Sequence, residues 1–414
     1  MALALAEEVR VEAAPEDVGI SSARLNNVNR VVQRYLDEHK LPGAISLVAR
    51  RGRVVHFETY GEMDAERHRP MRGDTIFRFY SMTKPIASIA LMTLYEEGRF
   101  LLDDPVARFI PAFEDLKVLV SGTADDYQVR EPARPMTIRD LLIHTSGLVS
   151  RETKSPVGEL YRRAGMKGSE SDGTLADMVQ KVAQIPLQVD PGSQWIYGIS
   201  TDLVGYLCEV ISGQSFDRFL HERVLGPLGM TDTAFDVPAE KLDRFAALYE
   251  PRAGSPAYTL IDDPLSSSYT RPRTYFSGAG GLVSTAADYL RFCRMLANRG
   301  ELDGARIIGP RTLQLMTLNH LPEGRDLATM AQNAAETQRE GQGFGLGFAV
   351  LLDPAVAQVI GTPGEYYWGG AASTAFFVTP AEDLIMIFLT QLRPSSTYPI
   401  RRELRAAVYS SIVD

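Results

Sequence analysis

Residues on one helical face recur at intervals of three and four between positions 81 and 98, a spacing typical of a helix with one buried side. They are Ile86, Ile89, Ala90, Thr93 and Leu94. Ser81 stands where an N-cap or first-turn residue would, Pro85 is early enough to be tolerated, and Gly98 is placed to end the helix. The pattern predicts a central helix of about four turns at 81–98.

Shorter patterns flank this helix on both sides. Before it, the sequence predicts a helix at 21–40, a hairpin of strands at 44–49 and 54–60, and a short strand at 75–79. After it, helices are predicted to begin at 103 and to span 137–144, 175–183 and 200–212, with loops at 121–135 and 150–173. Beyond 250, strands are predicted at 343–351, 365–368, 374–378 and 384–389, with helices ending at 298 and spanning 403–412. Closely spaced short strands indicate an antiparallel sheet.

This order of patterns predicts two structural units. Residues 1–80 and 250–414 form an α/β sheet domain, and residues 81–249 form a mainly helical domain inserted into it. A length of 414 residues agrees with more than one domain, because single domains usually have ~100–200 residues. Active sites often lie where two domains meet, so we expect the site at this junction.

Composition limits the classes of function. The net charge of −9, with no basic stripe, argues against nucleic acid as a partner, and Arg401, Arg402 and Arg405 are interpreted as a solvated helix face. Cys208 and Cys293 lie in apolar helical patterns and are expected to be buried thiols. No apolar run approaches the ~18 residues of a membrane span. The apolar stretch at 2–6 is too short for a signal-peptide core, so a cytoplasmic protein is expected.

Ser81 and Lys84 are candidates for nucleophilic catalysis, because a spacing of three places both side chains on one helix face. A serine hydroxyl becomes a strong nucleophile when a neighbour takes its proton, and a lysine can do so in its neutral form, which burial favours. The start of a helix also offers N–H groups to an oxyanion. Most Ser-x-x-Lys sequences are only a cap followed by a solvated lysine. Of the seven lysines, however, only Lys84 has a serine three positions before it.

Other catalytic patterns are absent from the sequence, which has no Gly-x-Ser-x-Gly, His-Glu-x-x-His or Gly-x-Gly-x-x-Gly. Glycines alternate strictly over 341–347, which favours one strand lying close to another backbone. His144 is a possible base, but its position at a helix end before Thr-Ser-Gly favours a capping or structural role. Tyr197, on a loop at 190–200, can relay a proton to a leaving group, although a single tyrosine is more often a packing residue.

Five stretches together, in chain order, resemble the serine β-lactamase-like superfamily. They are Ser81-Met82-Thr83-Lys84, residues 141–147, the stretch from Pro191 to Tyr197, Gly280-Gly281-Leu282, and Trp368-Gly369-Gly370. The branch they are most similar to is the class C-related esterases, or family VIII carboxylesterases, and they also resemble penicillin-binding protein homologues. The resemblance implies a β-lactamase/transpeptidase-like α/β fold, with an antiparallel sheet flanked by helices and an inserted, mainly helical domain.

The resemblance also implies roles for individual residues and requires no metal or cofactor. Ser81 would be the acylated nucleophile, Lys84 its proton acceptor, and Tyr197 the partner in proton transfer to the leaving alcohol. The N–H groups of Ser81 and Ala371 would form the oxyanion hole. The residues expected to contact substrate are Trp368, Gly369, Gly370 and Ile199.

Two departures from the family pattern bear on the substrate. Antibiotic-hydrolysing and peptidoglycan-binding relatives carry Lys or His where this chain has Trp368, and Asn where it has Ile199. Loss of an ionic and an amide contact is expected to disfavour β-lactams and D-Ala-D-Ala peptides by ~1–3 kcal/mol each. The indole of Trp368 instead favours an apolar acyl or alcohol group.

The sequence therefore predicts a serine ester hydrolase acting on small or short-acyl esters, with a small-molecule ester as its partner and neither nucleic acid nor membrane. Three alternatives stay open. They are an acyltransferase of the same fold, a weak β-lactamase or DD-peptidase, and a non-catalytic binding protein comparable to penicillin-binding homologues.

Overall fold

A computed structural model describes residues 9–252, 254–255, 257–331 and 340–414, so the apolar stretch at 2–6 lies outside it. Within these ranges the main sheet has eight strands in the order β4-β5-β6-β7-β8-β1-β2-β3, and neighbouring strands are antiparallel. The strands are β1 Gly43–Arg50, β2 Arg53–Asp64, β3 Arg69–Pro70, β4 Gln342–Phe344, β5 Ala349–Leu351, β6 Tyr366–Gly369, β7 Ala375–Thr379 and β8 Leu384–Thr390. Because β1 pairs with β8, the sheet joins the two ends of the chain.

Helices cover both faces of this sheet, as the fold class requires. They are α1 Ser22–Leu25, α2 Asn27–Asp37, α3 Thr83–Glu96, α4 Ile138–Leu142, α5 Pro156–Arg163, α6 Leu175–Val182, α7 Ser200–Ser212, α8 Phe216–Leu220, α9 Ala286–Ala297, α10 Pro310–Met316, α11 Leu327–Met330, α12 Pro354–Ala357 and α13 Ile400–Tyr409. None of the described helices has the length and apolar character needed to cross a bilayer.

The two sheet faces belong to two hydrophobic cores, because side chains alternate along a strand. On β1, Ile45 and Leu47 join the core that contains α3, α7 and α9, whereas Ala44 and Val48 join the core that contains α2 and α13. The prediction of an antiparallel sheet flanked by helices is thus confirmed.

Helix α3 lies at the centre of the larger core, and every residue from Thr83 to Leu94 is buried. The predicted helix at 81–98 is confirmed except at its start. A 3₁₀ turn at Tyr80–Met82 precedes the α-helix, so Ser81 is not the N-cap. Tyr80 has a φ of +43°, a left-handed conformation that bends the chain immediately before Ser81.

Several helix and strand boundaries lie close to those predicted from the local sequence. Helix α7 coincides with the predicted 200–212 and ends at Gly213, which has a φ of +76°. Helix α6 begins at a capping box formed by Thr174 and Asp177. Strands β6, β7 and β8 each lie within a residue or two of their predicted limits.

Four other predictions were wrong in part. The predicted helix from 103 is only two 3₁₀ turns, Val106–Arg108 and Pro111–Phe113, because Pro111 cannot continue an α-helix. The predicted loop at 121–135 contains a hairpin of Val118–Gly122 with Tyr127–Arg130. The predicted loop at 150–173 contains α5, and the predicted helix at 21–40 is divided at Asn26.

The glycine-rich stretch at 341–347 is not one strand. It contains β4 and the turn to β5, and Gly341 and Gly347 have left-handed φ values of +72° and +95°. A Cβ atom at Gly345 would lie 2.2 Å from the carbonyl oxygen of Met316, so close backbone approach explains that glycine.

The arginines of α13 do not form the solvated face that was expected, except for the exposed Arg402. Arg405 forms an ion pair with Glu365, whose side chain is fully buried. Arg401 is half-buried and donates hydrogen bonds to backbone carbonyls of the β6–β7 turn.

Candidate active site

Ser81 and Lys84 lie together at the start of α3. The Nζ atom of Lys84 donates a hydrogen bond to Ser81 Oγ over 3.3 Å and a second to the Ala279 carbonyl oxygen over 2.7 Å. Lys84 is 4% exposed, so this amine is shielded from bulk solvent. The predicted side-chain pair is therefore present and is oriented by a carbonyl from a distant part of the chain.

Asp202, on α7, holds the loop that carries this carbonyl. Its Oδ1 atom accepts hydrogen bonds from Ser277 Oγ over 2.6 Å and from the Ala279 N–H over 3.1 Å. Burial raises the pKa of the Asp202 carboxyl, and the bonds from Ser277 and Ala279 and the charge of Lys84 act in the opposite direction. The Asp202 side chain thus fixes the position of Ala279, whose carbonyl oxygen is the acceptor for Lys84. It also contributes to the electrostatic surroundings of that carbonyl.

The same loop is fixed directly to α3. The Leu282 N–H donates to Thr83 Oγ1 over 3.1 Å, and the hydroxyl of Tyr269 donates to the Gly280 carbonyl over 3.4 Å. A Cβ atom at Gly281 would lie 2.8 Å from the Phe235 ring, so the loop requires a glycine there. These contacts explain in structural terms why the loop carries the sequence Gly280-Gly281-Leu282.

The ring of Tyr197 lies over Lys84, with Nζ 4.4 Å from the ring centroid. Its hydroxyl oxygen is buried and forms no hydrogen bond with any described residue. Three rings hold the phenol in place: Trp195 stacks on it at 5.7 Å between centroids, Trp368 lies at 5.5 Å and His144 at 4.9 Å. The structure therefore brings Tyr197 to the amine of the Ser81–Lys84 pair.

His144 belongs to this aromatic cluster and also ends α4, because its N–H donates to the Leu141 carbonyl over 3.4 Å and the following N–H donates to the Asp140 carbonyl. Its φ is +59°, its carbonyl accepts from the Ile196 N–H over 2.9 Å, and its ring lies edge-on to Phe344 at 5.5 Å. Burial, and secondarily the charge of Lys84, hold the pKa of His144 well below its ordinary value, so the imidazole is neutral. Sequence reasoning anticipated a structural residue but not its place in the wall of the site.

The two amides expected to bind an oxyanion are both available. The N–H groups of Ser81 and Ala371 donate to no described backbone or side-chain acceptor. Ala371 packs against a small cluster that contains Tyr80, and a Cβ atom at Gly370 would lie 2.3 Å from the Phe79 carbonyl oxygen. The end of β6 is thus pressed against the residues that lead into Ser81.

Arg401 braces the turn that carries Ala371. Its guanidinium donates to the carbonyl oxygens of Gly370 and Thr374, each over 2.7 Å. A Cβ atom at Gly369 would lie 2.9 Å from the Thr374 carbonyl oxygen, which accounts for the first glycine of the motif. No sequence pattern indicated this contact, because its acceptors are backbone groups.

The remaining predicted residues form an apolar lining. Trp368 and Ile199 are each 6% exposed, and the Trp368 ring lies 5.3 Å from that of Phe344. Ile199 stands at the N-cap of α7, with its N–H bonded to the Val149 carbonyl. Among the described residues, no group of three or more His, Cys, Asp or Glu side chains is arranged to hold a metal ion.

A hydroxyl beside a shielded amine, a nearby phenol and two free amides are the parts that acyl transfer through a covalent intermediate uses. The roles of Ser81, Lys84, Tyr197 and Ala371 stay predictions. The Lys84 amine contacts both the Ser81 hydroxyl and the face of the Tyr197 ring, whereas the Tyr197 hydroxyl forms no hydrogen bond to either side chain.

Comparison with known proteins gives a consistent result. The family model described as Beta-lactamase matches residues 28–410. Esterase EstB from Burkholderia gladioli is 34% identical over 414 residues, covering 95% of this chain and 96% of EstB. Protein Rv1367c from Mycobacterium tuberculosis (strain ATCC 25618 / H37Rv) is 33% identical over 367 residues, covering 88% and 89% of the two chains.

Among solved structures, EstCE1 is similar at a TM-score of 0.79 and 30% identity. The match covers 94% of this chain and 99% of that one, which is described as a hydrolase with promiscuous acyltransferase activity. These matches confirm the resemblance and the fold class drawn from the five sequence stretches.

Proposed function

The chain belongs to the β-lactamase family of serine hydrolases, and we propose that it is a carboxylesterase that cleaves small or short-acyl esters through an acyl-enzyme on Ser81. The observation that carries the proposal is the position of the Lys84 amine, 3.3 Å from Ser81 Oγ and 4.4 Å from the centre of the Tyr197 ring. Tyr197 is remote from the other two in the sequence, so only the fold unites them.

In the proposed acylation step, Ser81 Oγ attacks the ester carbonyl carbon while neutral Lys84 accepts the hydroxyl proton. The carbonyl oxygen gains negative charge, which the N–H groups of Ser81 and Ala371 stabilise. When the intermediate collapses, the C–O bond to the alcohol breaks and Tyr197 donates a proton to the leaving oxygen. Lys84 then returns the proton that it accepted to the Tyr197 oxygen, a step for which that oxygen has to approach Nζ to hydrogen-bond distance, because Nζ lies over the ring face in the free protein.

In the proposed deacylation step, water takes the place of the alcohol. It adds to the acyl carbonyl of Ser81 and loses a proton to the same pair of groups, the bond to Oγ breaks, and the carboxylic acid leaves. Ser81 regains its proton from Lys84, so no external reactant besides water is consumed.

The lining supports an apolar substrate. Trp368, Phe344 and Ile199 are buried beside Tyr197, and their side chains offer no charge to a substrate carboxylate. Arg401, a cation at the end of β6, donates to backbone carbonyls, and Arg393 lies over the Tyr80 ring. The name of EstB, an esterase, supports the same substrate class.

Acyl transfer is the second candidate, because EstCE1 is described as a hydrolase with promiscuous acyltransferase activity. An alcohol that replaced water in deacylation would yield a new ester from the same acyl-enzyme. The aromatic cluster around Tyr197 favours a bulky apolar acceptor over a polar one.

The test compares hydrolysis of p-nitrophenyl acetate, p-nitrophenyl butyrate and nitrocefin by the native protein and by Ser81→Ala. Ser88→Ala is the matched control, because Ser88 lies on the same helix, is equally a serine and is buried. We expect Ser81→Ala to lose at least ~10³-fold in ester kcat, with Ser88→Ala close to native. Mass spectrometry of the native protein mixed with butyrate ester should show butyrylation at Ser81.

Persistence of ester turnover in Ser81→Ala would remove Ser81 from its role. Rapid nitrocefin turnover with negligible ester turnover would replace the carboxylesterase proposal by a β-lactamase one. Turnover of neither substrate would favour the binding-protein alternative. Addition of 1-butanol separates hydrolysis from transfer, since transfer produces butyl butyrate at the expense of butyric acid.

A further inference from the structure

A cavity of about 290 Å³ lies on the face of the main sheet opposite Ser81. Its floor includes Phe377 and Met386, which belong to the hydrophobic core containing α13, whereas Trp368 turns its ring to the core containing α3. None of Ser81, Lys84 and Tyr197 lines it. The sheet therefore separates this cavity from the candidate active site.

The cavity has an apolar floor and a cationic wall. Three arginines of α13 line it, namely Arg401, Arg402 and Arg405, and the lining includes no Asp or Glu among the described residues. The guanidinium of Arg405 lies 5.1 Å from the Tyr367 ring centre and 5.2 Å from that of Phe377, so positive charge directly borders the aromatic floor. This combination is selective for a ligand with one apolar and one anionic end.

Arg402 is the residue best placed to meet an entering anion. It is exposed, donates to the Gln358 carbonyl over 2.9 Å and forms no ion pair with any described carboxylate. Arg405 is already compensated by Glu365. A second, shallower depression that shares Val359, Pro399 and Arg402 continues from the cavity to the surface. Its lining includes one carboxylate, Glu403, which forms an ion pair with Arg34.

We propose that this cavity is a binding site for a small amphiphilic carboxylate, with the alkyl chain on Phe377 and Met386 and the carboxylate at Arg402. A carboxylate accepts two hydrogen bonds from one guanidinium, a geometry that an alcohol or an amide cannot match. The volume limits the ligand to a short or medium alkyl chain. The proposal does not depend on the proposed esterase activity.

The cavity is also connected to the turn that carries Ala371. Arg401 lines the cavity and donates to the Gly370 and Thr374 carbonyls on either side of that residue. A bound carboxylate therefore lies beside the side chain that braces the predicted oxyanion amide.

The experiment is calorimetric titration of octanoate into the full chain carrying Ser81→Ala, which excludes turnover. Two further changes are made in that background: Ala375→Leu, which fills the cavity at a lining residue, and Arg402→Gln. Arg311→Gln, an exposed arginine on α10 outside the lining, is the matched control. Titration with 1-octanol separates the contribution of the charge from that of the alkyl chain.

We expect one saturable octanoate site, with Ala375→Leu and Arg402→Gln each weakening binding about tenfold and Arg311→Gln leaving it unchanged. Octanol should bind more weakly than octanoate, and Arg402→Gln should remove most of that difference. The absence of saturable binding, or equal affinity in the parent and Arg402→Gln proteins, would overturn the proposal. Because Arg402 is exposed, its substitution tests the site even if Ala375→Leu fails to fold.

Discussion

Substitution of Asp202 is the most demanding test of whether the Ala279 loop holds Lys84 in position. Asp202 is 1% exposed and accepts hydrogen bonds from two donors, Ser277 Oγ at 2.6 Å and the Ala279 N–H at 3.1 Å, and the Tyr275 side chain is a further partner. Asp202→Ala leaves both donors buried without an acceptor, at a cost of ~1–3 kcal/mol each, so we expect the free energy of unfolding to fall by ~2–6 kcal/mol. Asp202→Asn keeps an oxygen at this position and should lose no more than ~2 kcal/mol.

The effect on catalysis follows from the hydrogen bond between Lys84 and Ala279. The Ala279 carbonyl accepts from Lys84 over 2.7 Å, and release of the loop moves that carbonyl and with it the amine. A displacement of ~1 Å in a reacting group can cost ~10²-fold in rate, so we expect ester kcat to fall about that much in Asp202→Ala and only several-fold in Asp202→Asn.

Asp288 provides a matched control. It is 2% exposed and also accepts two hydrogen bonds, from the Asp232 N–H and Thr233 Oγ1, both at 2.8 Å, on a helix that contributes no predicted site residue. Asp288→Ala should lower stability by a similar amount in urea unfolding and leave ester kcat near native. Equal losses of kcat in the Asp202 and Asp288 variants, measured at a temperature where both are folded, would refute the specific link from Asp202 to Lys84.

Three further predictions rest on separate contacts. Tyr197→Phe should reduce ester kcat by ~10²–10⁴-fold while leaving the melting temperature unchanged or raised, because the hydroxyl bonds to no described residue. Gly370→Ala should reduce kcat in the same esterase assay, since its Cβ atom would lie 2.3 Å from the Phe79 carbonyl and displace the turn beside it. Burial lowers the pKa of His56 to about 4, so the folded state binds this proton less readily than the unfolded state. Stability contributed by neutral His56 is therefore lost as pH falls from ~6.5 to about 4, and urea unfolding should show the native protein losing ~3 kcal/mol more than His56→Gln over that range.

Prediction from sequence succeeded where the signal was local. Helix α7 was placed to the residue because its apolar spacing and the left-handed Gly213 are both encoded within a few positions. The contact between Ser81 and Lys84 was predicted for the same reason, since a spacing of three is enough to bring the two side chains together. The exact start of α3 was not predicted, because nothing in the sequence indicates that Tyr80 adopts a left-handed conformation.

Contacts made to backbone atoms could not be predicted from the sequence. The link from Asp202 through Ala279 to Lys84 joins three separate segments, and its central member is a carbonyl group that any residue possesses. The brace from Arg401 to the Gly370 carbonyl is of the same kind, and the arginine was consequently read as surface charge. Side-chain identity carries information about such contacts only after the fold is known.

The aromatic cluster around Tyr197 contains buried polar atoms whose free-energy cost favours a role in the reaction over a purely structural one. Four buried polar atoms in it form no hydrogen bond with a described residue: Tyr197 Oη, His144 Nδ1, Trp195 Nε1 and Trp368 Nε1. An unsatisfied buried polar atom costs ~1–3 kcal/mol, and apolar side chains of similar size would fill the same space without that cost. Of these side chains, Tyr197 contacts the Lys84 amine and His144 lies within the influence of its charge. A phenol without a protein partner beside a candidate base is the pattern expected where polar groups are placed for a reaction.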